Sequence, residues 1–218
     1  AIVSNRESRS EAFDWFRENE LLLNTEKTVN VLFSLKKFEN PDHFSESHKF
    51  LGLYLDAKLL WTAQDISVAN KTNSGLFILR NLKDIVPTMV LKSAYYALCE
   101  SHLSYGIFVW GHSSIRHHLF SLQRKAIRIL ANINYRDDCK EQFKNLQILT
   151  LPCIYIPKCL LYVKTNLHLY KQHSDYHSYF TRNKDALCPR SIRLSKSKNA
   201  AEYYSGKIFN KLPVPVQV

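Results

Sequence analysis

The segment SIRHHLFSLQRKAIRILANIN, residues 114–134, constrains the fold more than any other stretch. Ile115, Leu119, Leu122, Ala126, Ile127 and Leu130 recur at helical spacing and draw one apolar stripe, leaving Arg116, Arg124, Lys125 and Arg128 largely outside it. So sharp a division requires other elements to cover the stripe, and the surrounding sequence supplies helices. Ile66, Ala69, Leu76, Leu79 and Leu82 line a second helix, whose middle is weakened by Asn73-Ser74-Gly75. Pro87 suits the first turn of a third, running through Val90, Ala94, Tyr95 and Leu98. Ser113 is the expected cap of the 114–134 helix. A fourth starts near Thr150-Leu151-Pro152 and runs to about Tyr170 with a kink at Pro157, and a short one covers Ala201 to Asn210.

The first sixty residues read differently. Ser10 is placed to cap a helix that buries Ala12, Phe13 and Phe16 and stops near Asn19. In VNVLFSL, Val29, Val31, Phe33 and Leu35 alternate with Asn30, Leu32 and Ser34, the pattern of a strand. HKFLGLYLD is a second strand with Gly52 in its interior, which points to a bulge or a close backbone approach. With KKFENPDHFSES between them, the two strands make a hairpin with a long loop. The expected fold class is therefore α+β, mostly α: an N-terminal helix and a β-hairpin, then a helical bundle.

Charge gives the first indication of function. Of the net charge of +11, all the surplus lies in the second half: residues 113–218 carry 18 Lys/Arg against 6 Asp/Glu. Such a surplus usually faces a polyanion, most often nucleic acid, while an anionic membrane surface or simple solubility are the blander causes. No apolar run approaches the roughly 18 residues of a membrane span. Five cysteines without a Cys-x-x-Cys argue for a reducing compartment, so the expected location is intracellular, nucleus or cytoplasm. The polar start AIVSNRESRSE, without an initiator Met, is read as carrying no signal peptide and as the beginning of a piece of something longer. His173 and His177 are four apart, but the cysteine gaps fit no zinc module, and no metal site is expected.

Seven short blocks fall in a telling order. They are Trp15-Phe16-x-x-Asn19-x-Leu21-x-Leu23-Asn24-x-x-Lys27-Thr28, Phe50-Leu51-Gly52-x-x-Leu55-Asp56-x-x-Leu59-x-Trp61, Gly75-Leu76-x-x-Leu79-Arg80, Tyr105-Gly106-x-x-x-Trp110-Gly111, Leu122-Gln123-x-x-Ala126-x-Arg128, Ile148-Leu149-Thr150-Leu151 and Asn210-x-Leu212-Pro213. The set resembles the palm end, thumb and C-terminal region of reverse transcriptases from jockey-type non-LTR retrotransposons, over nearly the whole chain. The resemblance implies a palm end with a primer-grip hairpin over 1–61, a helical thumb-like domain over 62–170 and a basic C-terminal extension over 171–218. The parent enzyme it implies is an RNA-directed DNA polymerase using Mg2+ and nucleoside triphosphates. Its partners would be an RNA template, a DNA primer and the rest of the palm upstream. Its catalytic aspartates would precede Trp15 and are absent from this chain, so the fragment alone is expected to be inactive, with no cofactor and no catalytic residue of its own.

Tyr135-Arg136-Asp137-Asp138 imitates the metal-binding box of such enzymes. Two-metal phosphoryl transfer needs carboxylates from separate strands, which one Asp pair cannot supply. A real box also sits at the tip of a hairpin, whereas this one follows a long amphipathic helix and precedes Phe143 and Leu146 at helical spacing. Asp137 or Asp138 is expected to cap the next helix.

By resemblance, Lys27 would lie near the incoming nucleotide, and the competing reading is a solvated lysine at a strand start. Phe50-Leu51-Gly52 would be the primer grip, where glycine lets backbone approach the primer; the bland version is a strand bulge. Arg116, Arg124, Lys125 and Arg128 would track the template–primer duplex, or form a merely solvated face. Trp110 and Tyr105 are expected in the core rather than stacked on bases. The expected function is binding of the template–primer duplex. The alternative is a catalytically dead retroelement remnant acting as a helical protein-interaction module.

Overall fold

The computed structural model describes residues 2–24, 26–34, 44–176, 178–179, 182–188, 192 and 200–213. The chain forms two compact units, Ala1–His48 with Asp56–Lys58, and Lys49–Leu55 with Leu59–Val218.

In the first unit, helix α1 spans Ile2–Glu18. Ser10 lies inside it rather than at its start, because IVSNRESR contains no proline or glycine to delay the helix. Ala12 and Phe13 are exposed and Phe16 is half-buried, so the expected buried face is largely uncovered. The helix stops as expected near Asn19, whose backbone and side-chain N–H groups both donate to Trp15 O at 3.1 and 2.8 Å, before Glu20 takes a left-handed φ of 54°. Residues 29–34 form no regular strand, only isolated bonds such as Ser45 N–H to Asn30 O at 3.0 Å; Leu35 lies outside the described residues. The partner assigned to that strand is engaged elsewhere, because HKFLGLYLD folds back on itself. Strands β1 (Ser47–Phe50) and β2 (Leu53–Asp56), whose residues 49–55 belong to the second unit, pair across a tight turn at Leu51-Gly52.

The rest of the second unit is mostly helical. Helix α2 covers Thr62–Leu82, and α3 (Thr88–Tyr95) continues through a π turn at Tyr96–Glu100 into α4 (Ser101–Ser104). Then follow α5 (Ile107–Trp110), α6 (Ile115–Leu130), α7 (Lys140–Asn145) and α8 (Leu151–Thr165). Two-residue strands β3 (Lys171–Gln172) and β4 (Leu187–Cys188) pair antiparallel, Gln172 opposite Leu187, and α9 (Ala201–Phe209) packs on α8. The architecture is α+β and mostly α, as the sequence implies.

All six stripe residues of α6 are buried, in one core with Leu76 and Leu79 of α2, Tyr95, Leu103, Trp110, Phe143, Leu151 and Cys159. Asn73-Ser74-Gly75 does not interrupt α2. Gly75 is buried where the π turn crosses, and a Cβ there would sit 2.8 Å from Leu98 O and 2.9 Å from Cys99 Sγ. The α2 stripe centres on Thr72, so at 100° per residue Ile66 falls about 120° off it and is exposed. Val90 is likewise exposed, one step off the Leu91–Tyr95 face. Ser113 does not cap α6; its hydroxyl donates to Trp110 O, and Ser114 occupies the cap position.

One buried polar side chain ties the bundle together. Gln123 of α6 donates through Nε2 to Tyr95 Oη and to Leu149 O, both at 2.9 Å, and accepts from Leu151 N–H at 2.7 Å. Three segments thus meet on one amide with its donors and acceptor used. Thr150 caps α8 by accepting from Cys153 N–H, Pro157 lies inside the helix without ending it, and Asn166 closes it four residues before Tyr170. A smaller apolar cluster, Val163, Leu187 and Phe209, joins α8 to α9. Asn210 clamps Leu187 there, its Oδ1 accepting from the N–H at 2.9 Å and its Nδ2 donating to the carbonyl at 2.8 Å.

Candidate nucleic-acid interface

Helices α2 and α6 run parallel. Near their amino ends the carboxylate of Asp65 meets His118 Nδ1 at 2.9 and 3.0 Å, and just past their carboxyl ends Lys83 Nζ donates to Asn132 Oδ1 at 3.2 Å. The two carboxyl ends flank a cleft of about 280 Å³, lined by Arg80, Lys83, Lys125, Arg128, Ile129, Asn132, Ile133 and Tyr135. Four cations and no carboxylate line it. Each helix end presents roughly half a negative charge, so about three of the four positive charges exceed what the two dipoles call for.

The structure divides the four predicted cations of α6. Lys125 and Arg128 enter the cleft, while Arg124 lies on the outer arc with its guanidinium 5.8 Å from the Phe120 ring centre. Arg116 lines a different cavity, of about 420 Å³, beside His112 and Lys211. That cavity is mainly apolar, and His112 stacks on Tyr204 at 3.1 Å between ring centres. Burial, with Arg116 adding, holds the His112 imidazole down at about 4, so it is neutral at physiological pH. Helical geometry accounts for the division, since nine residues separate Arg116 from Lys125 and put them about 180° apart.

The cleft also recruits residues that the sequence reading left aside. Arg80 belongs to a recognised block without having been given a role; Lys83, Asn132 and Tyr135 were not singled out as binding residues. The available signal was the i, i+3 placement of Arg80 and Lys83 at the carboxyl end of α2, matched by Lys125 and Arg128 at that of α6.

Tyr135 brings the Tyr-x-Asp-Asp segment to this cleft, but its carboxylates face backbone. Asp137 Oδ2 accepts from Asn134 N–H at 3.0 Å, and Asp137 N–H donates back to Asn134 O at 3.2 Å, closing a turn. Asp138 Oδ1 accepts from Lys140 N–H at 3.2 Å, the first amide of α7. Asp138 therefore serves the start of the helix, although Cys139 occupies the formal cap position; helix ends shift by a residue between definitions. Arg128 Nε donates to Asp137 O at 2.8 Å and ties this turn to α6. Among the described residues no group of three or more His, Cys, Asp or Glu side chains is arranged to hold a metal ion.

At the hairpin tip Leu51 and Gly52 both have positive φ, 46° and 84°, as a type I′ turn requires. Gly52 is thus a turn residue rather than a bulge within a strand. Its close neighbour is Tyr105, whose ring atoms would lie 3.1 Å from an added Cβ and whose hydroxyl donates to Leu51 O at 2.6 Å. Phe50 and Leu51 project from the tip, 60% and 76% exposed. Trp110 is buried as expected, but Tyr105 is 54% exposed because it props this turn instead of filling the core. In the first unit, Lys27 is exposed on a turn built by Asn24, which accepts from Lys27 N–H at 3.0 Å and from the Thr28 hydroxyl at 2.8 Å. The Asn-x-x-Lys-Thr spacing is the spacing of that turn.

No helix among the described residues is long and apolar enough to cross a membrane. Comparison with protein-family models, with characterised proteins and with solved structures finds no match to this chain.

Proposed function

We propose that the chain is the palm end, thumb and C-terminal region of a non-LTR retrotransposon reverse transcriptase, and that it holds the template–primer duplex while catalysis resides upstream. The observation that carries this reading is the cleft of Arg80, Lys83, Lys125 and Arg128, with more positive charge than two helix ends require and no carboxylate in its lining. Arg124 extends the cationic surface along α6. Phosphate contacts of this kind position a duplex without reading its sequence, as copying an arbitrary template demands. The parent's two Mg2+ ions would be held by carboxylates upstream of Trp15. Asp137 and Asp138 do not fit that role, being bound to backbone amides of a turn and of the start of α7.

Fluorescence anisotropy with a labelled RNA–DNA hybrid tests the reading. Reversing Arg124, Lys125 and Arg128 to Glu is expected to abolish binding, and unchanged binding would refute it. A second reading, a remnant serving as a helical protein-interaction module, draws on the exposed Ile85, Met89 and Val90 around the start of α3. It expects the same reversal to change little.

A further inference from the structure

The cleft between the carboxyl ends of α2 and α6 contains one residue whose hydroxyl could serve a grip on duplex phosphates but whose ring face such a grip leaves unused. Tyr135 is 72% exposed, yet it lines a cavity whose other polar groups are cations and an amide. A phenol ring gains little from a duplex, which keeps its base faces within the stack and shows a protein its phosphates and groove edges. An unpaired nucleotide differs in having a free π-face beside its phosphate, and a flat ring next to a positive groove is the combination that single-stranded binding surfaces use. Ile129 and Ile133 add apolar lining suited to a base or sugar. At about 280 Å³ the cleft stands at the small end of ligand pockets, roughly 300 Å³ upward, with room to enclose one base and its sugar while backbone phosphates meet the cations at its mouth.

The cleft is also built in advance. Arg128 is fixed by its bond from Nε to Asp137 O, which uses one of five guanidinium donors. Lys83 is fixed by Asn132, a residue held at a left-handed φ of 50° just beyond α6. The reciprocal Asn134–Asp137 turn carries Tyr135 between its two ends, so the ring stands on a closed turn.

We infer that this cleft takes one unpaired nucleotide of a single-stranded stretch adjoining the duplex, its base against Tyr135, while Arg80, Lys83, Lys125 and Arg128 meet backbone phosphates of that stretch and of the duplex beside it. The inference rests on the reading that the cationic surface receives nucleic acid, and it specifies the strand state. Base–aromatic stacking predicts that Tyr135→Ala loses roughly 5-fold to 150-fold in affinity wherever an unpaired base occupies the cleft.

The test uses the whole chain and anisotropy with three probes: a blunt RNA–DNA hybrid, the same hybrid with a single-stranded overhang, and an oligo(dT) strand. Tyr135→Ala is expected to weaken the overhang hybrid and oligo(dT) by about 5-fold or more and to leave the blunt hybrid within about twofold, with Tyr135→Phe restoring the loss. Equal effects of Tyr135→Ala on blunt and overhang hybrids, or no effect on either, would overturn the inference while leaving the duplex reading standing. Oligo(dT) binding that depends on Tyr135, with no binding of the blunt hybrid, would uphold the inference and remove the duplex reading. Vesicles of phosphatidylcholine with phosphatidylserine supply the last arm: stronger loss of vesicle than of oligo(dT) binding on reversing Arg80 and Lys83 to Glu would assign the cleft to lipid headgroups and overturn it.

Discussion

If the cleft neutralises backbone phosphates, its size fixes how binding responds to salt. Each phosphate neutralised contributes about 0.9 to the slope of log affinity against log salt, so four cleft cations set a slope of about −3.6 and a loss of about 150-fold between 50 and 200 mM. Replacing Lys125 with Gln removes one contact without introducing a repulsive charge, and the slope should fall to about −2.7, a loss of about 40-fold over the same range. Lys125 is the informative position, because Lys83 and Arg128 also hold Asn132 and Asp137, and their loss would disturb the cleft as well as its charge. Arg116→Gln is the internal control. It lies across α6 from Lys125, on another cavity, and should leave the slope unchanged. The assay is anisotropy of a hybrid with a single-stranded overhang over a salt series. A wild-type slope near zero, or equal changes for Lys125→Gln and Arg116→Gln, would refute the assignment of the cleft to phosphate.

Three further outcomes concern the scaffold. Gln123→Met keeps the volume but strands the buried Leu151 N–H and removes the donor to the half-buried Leu149 O, and should cost about 2–4 kcal/mol by chemical denaturation, against about 1 kcal/mol for Tyr95→Phe; a cost below about 0.5 kcal/mol would mean that these groups find other partners. Gly75→Ala forces a Cβ against Leu98 O and Cys99 Sγ and should destabilise by about 1–3 kcal/mol, despite alanine's higher helix propensity; a more stable variant would show that the π turn yields readily. Leu51→Asn should stabilise by up to about 1 kcal/mol, since asparagine tolerates the left-handed turn that leucine occupies under strain; a destabilised variant would mean that the Leu51 side chain makes a contact worth more than that strain.

What the sequence made legible follows from how far each pattern reaches along the chain. The α6 stripe was readable in full because periodicity is a local property and six apolar residues repeat it without conflict. Ile66 and Val90 were misassigned because apolar character alone does not say which side of a helix is covered. The hairpin was misplaced because alternation in 29–35 suggested a ladder, while the decisive signal, two successive residues at positive φ, was hidden under a leucine where asparagine would have announced it. The cleft was half legible. Lys125 and Arg128 show as cations off a stripe, but their meeting with Arg80 and Lys83 depends on α2 lying parallel to α6, which no local pattern encodes.

The recognised blocks and the cleft carry different kinds of weight. Several block residues prove to be joints: Asn24 builds the turn at Lys27, Tyr105 props Leu51, Gly75 admits the π turn, Gln123 gathers three segments and Asn210 clamps Leu187. A chain keeping this scaffold would need such residues whether or not it touched nucleic acid, so the blocks speak for architecture. The positive charge at the cleft is not required in the same way. Holding Asn132 and Asp137 takes two donors, and compensating two helix ends takes about one unit of charge, yet four cations are present. Mutual repulsion among them in the unbound protein has to be outweighed by something, and an incoming phosphate does so directly. Replacing Arg80 with Gln should therefore stabilise the free protein slightly while weakening its hold on nucleic acid. That opposition of signs separates a cleft built for a ligand from one that merely caps two helices, because a capping cation lost would lower stability.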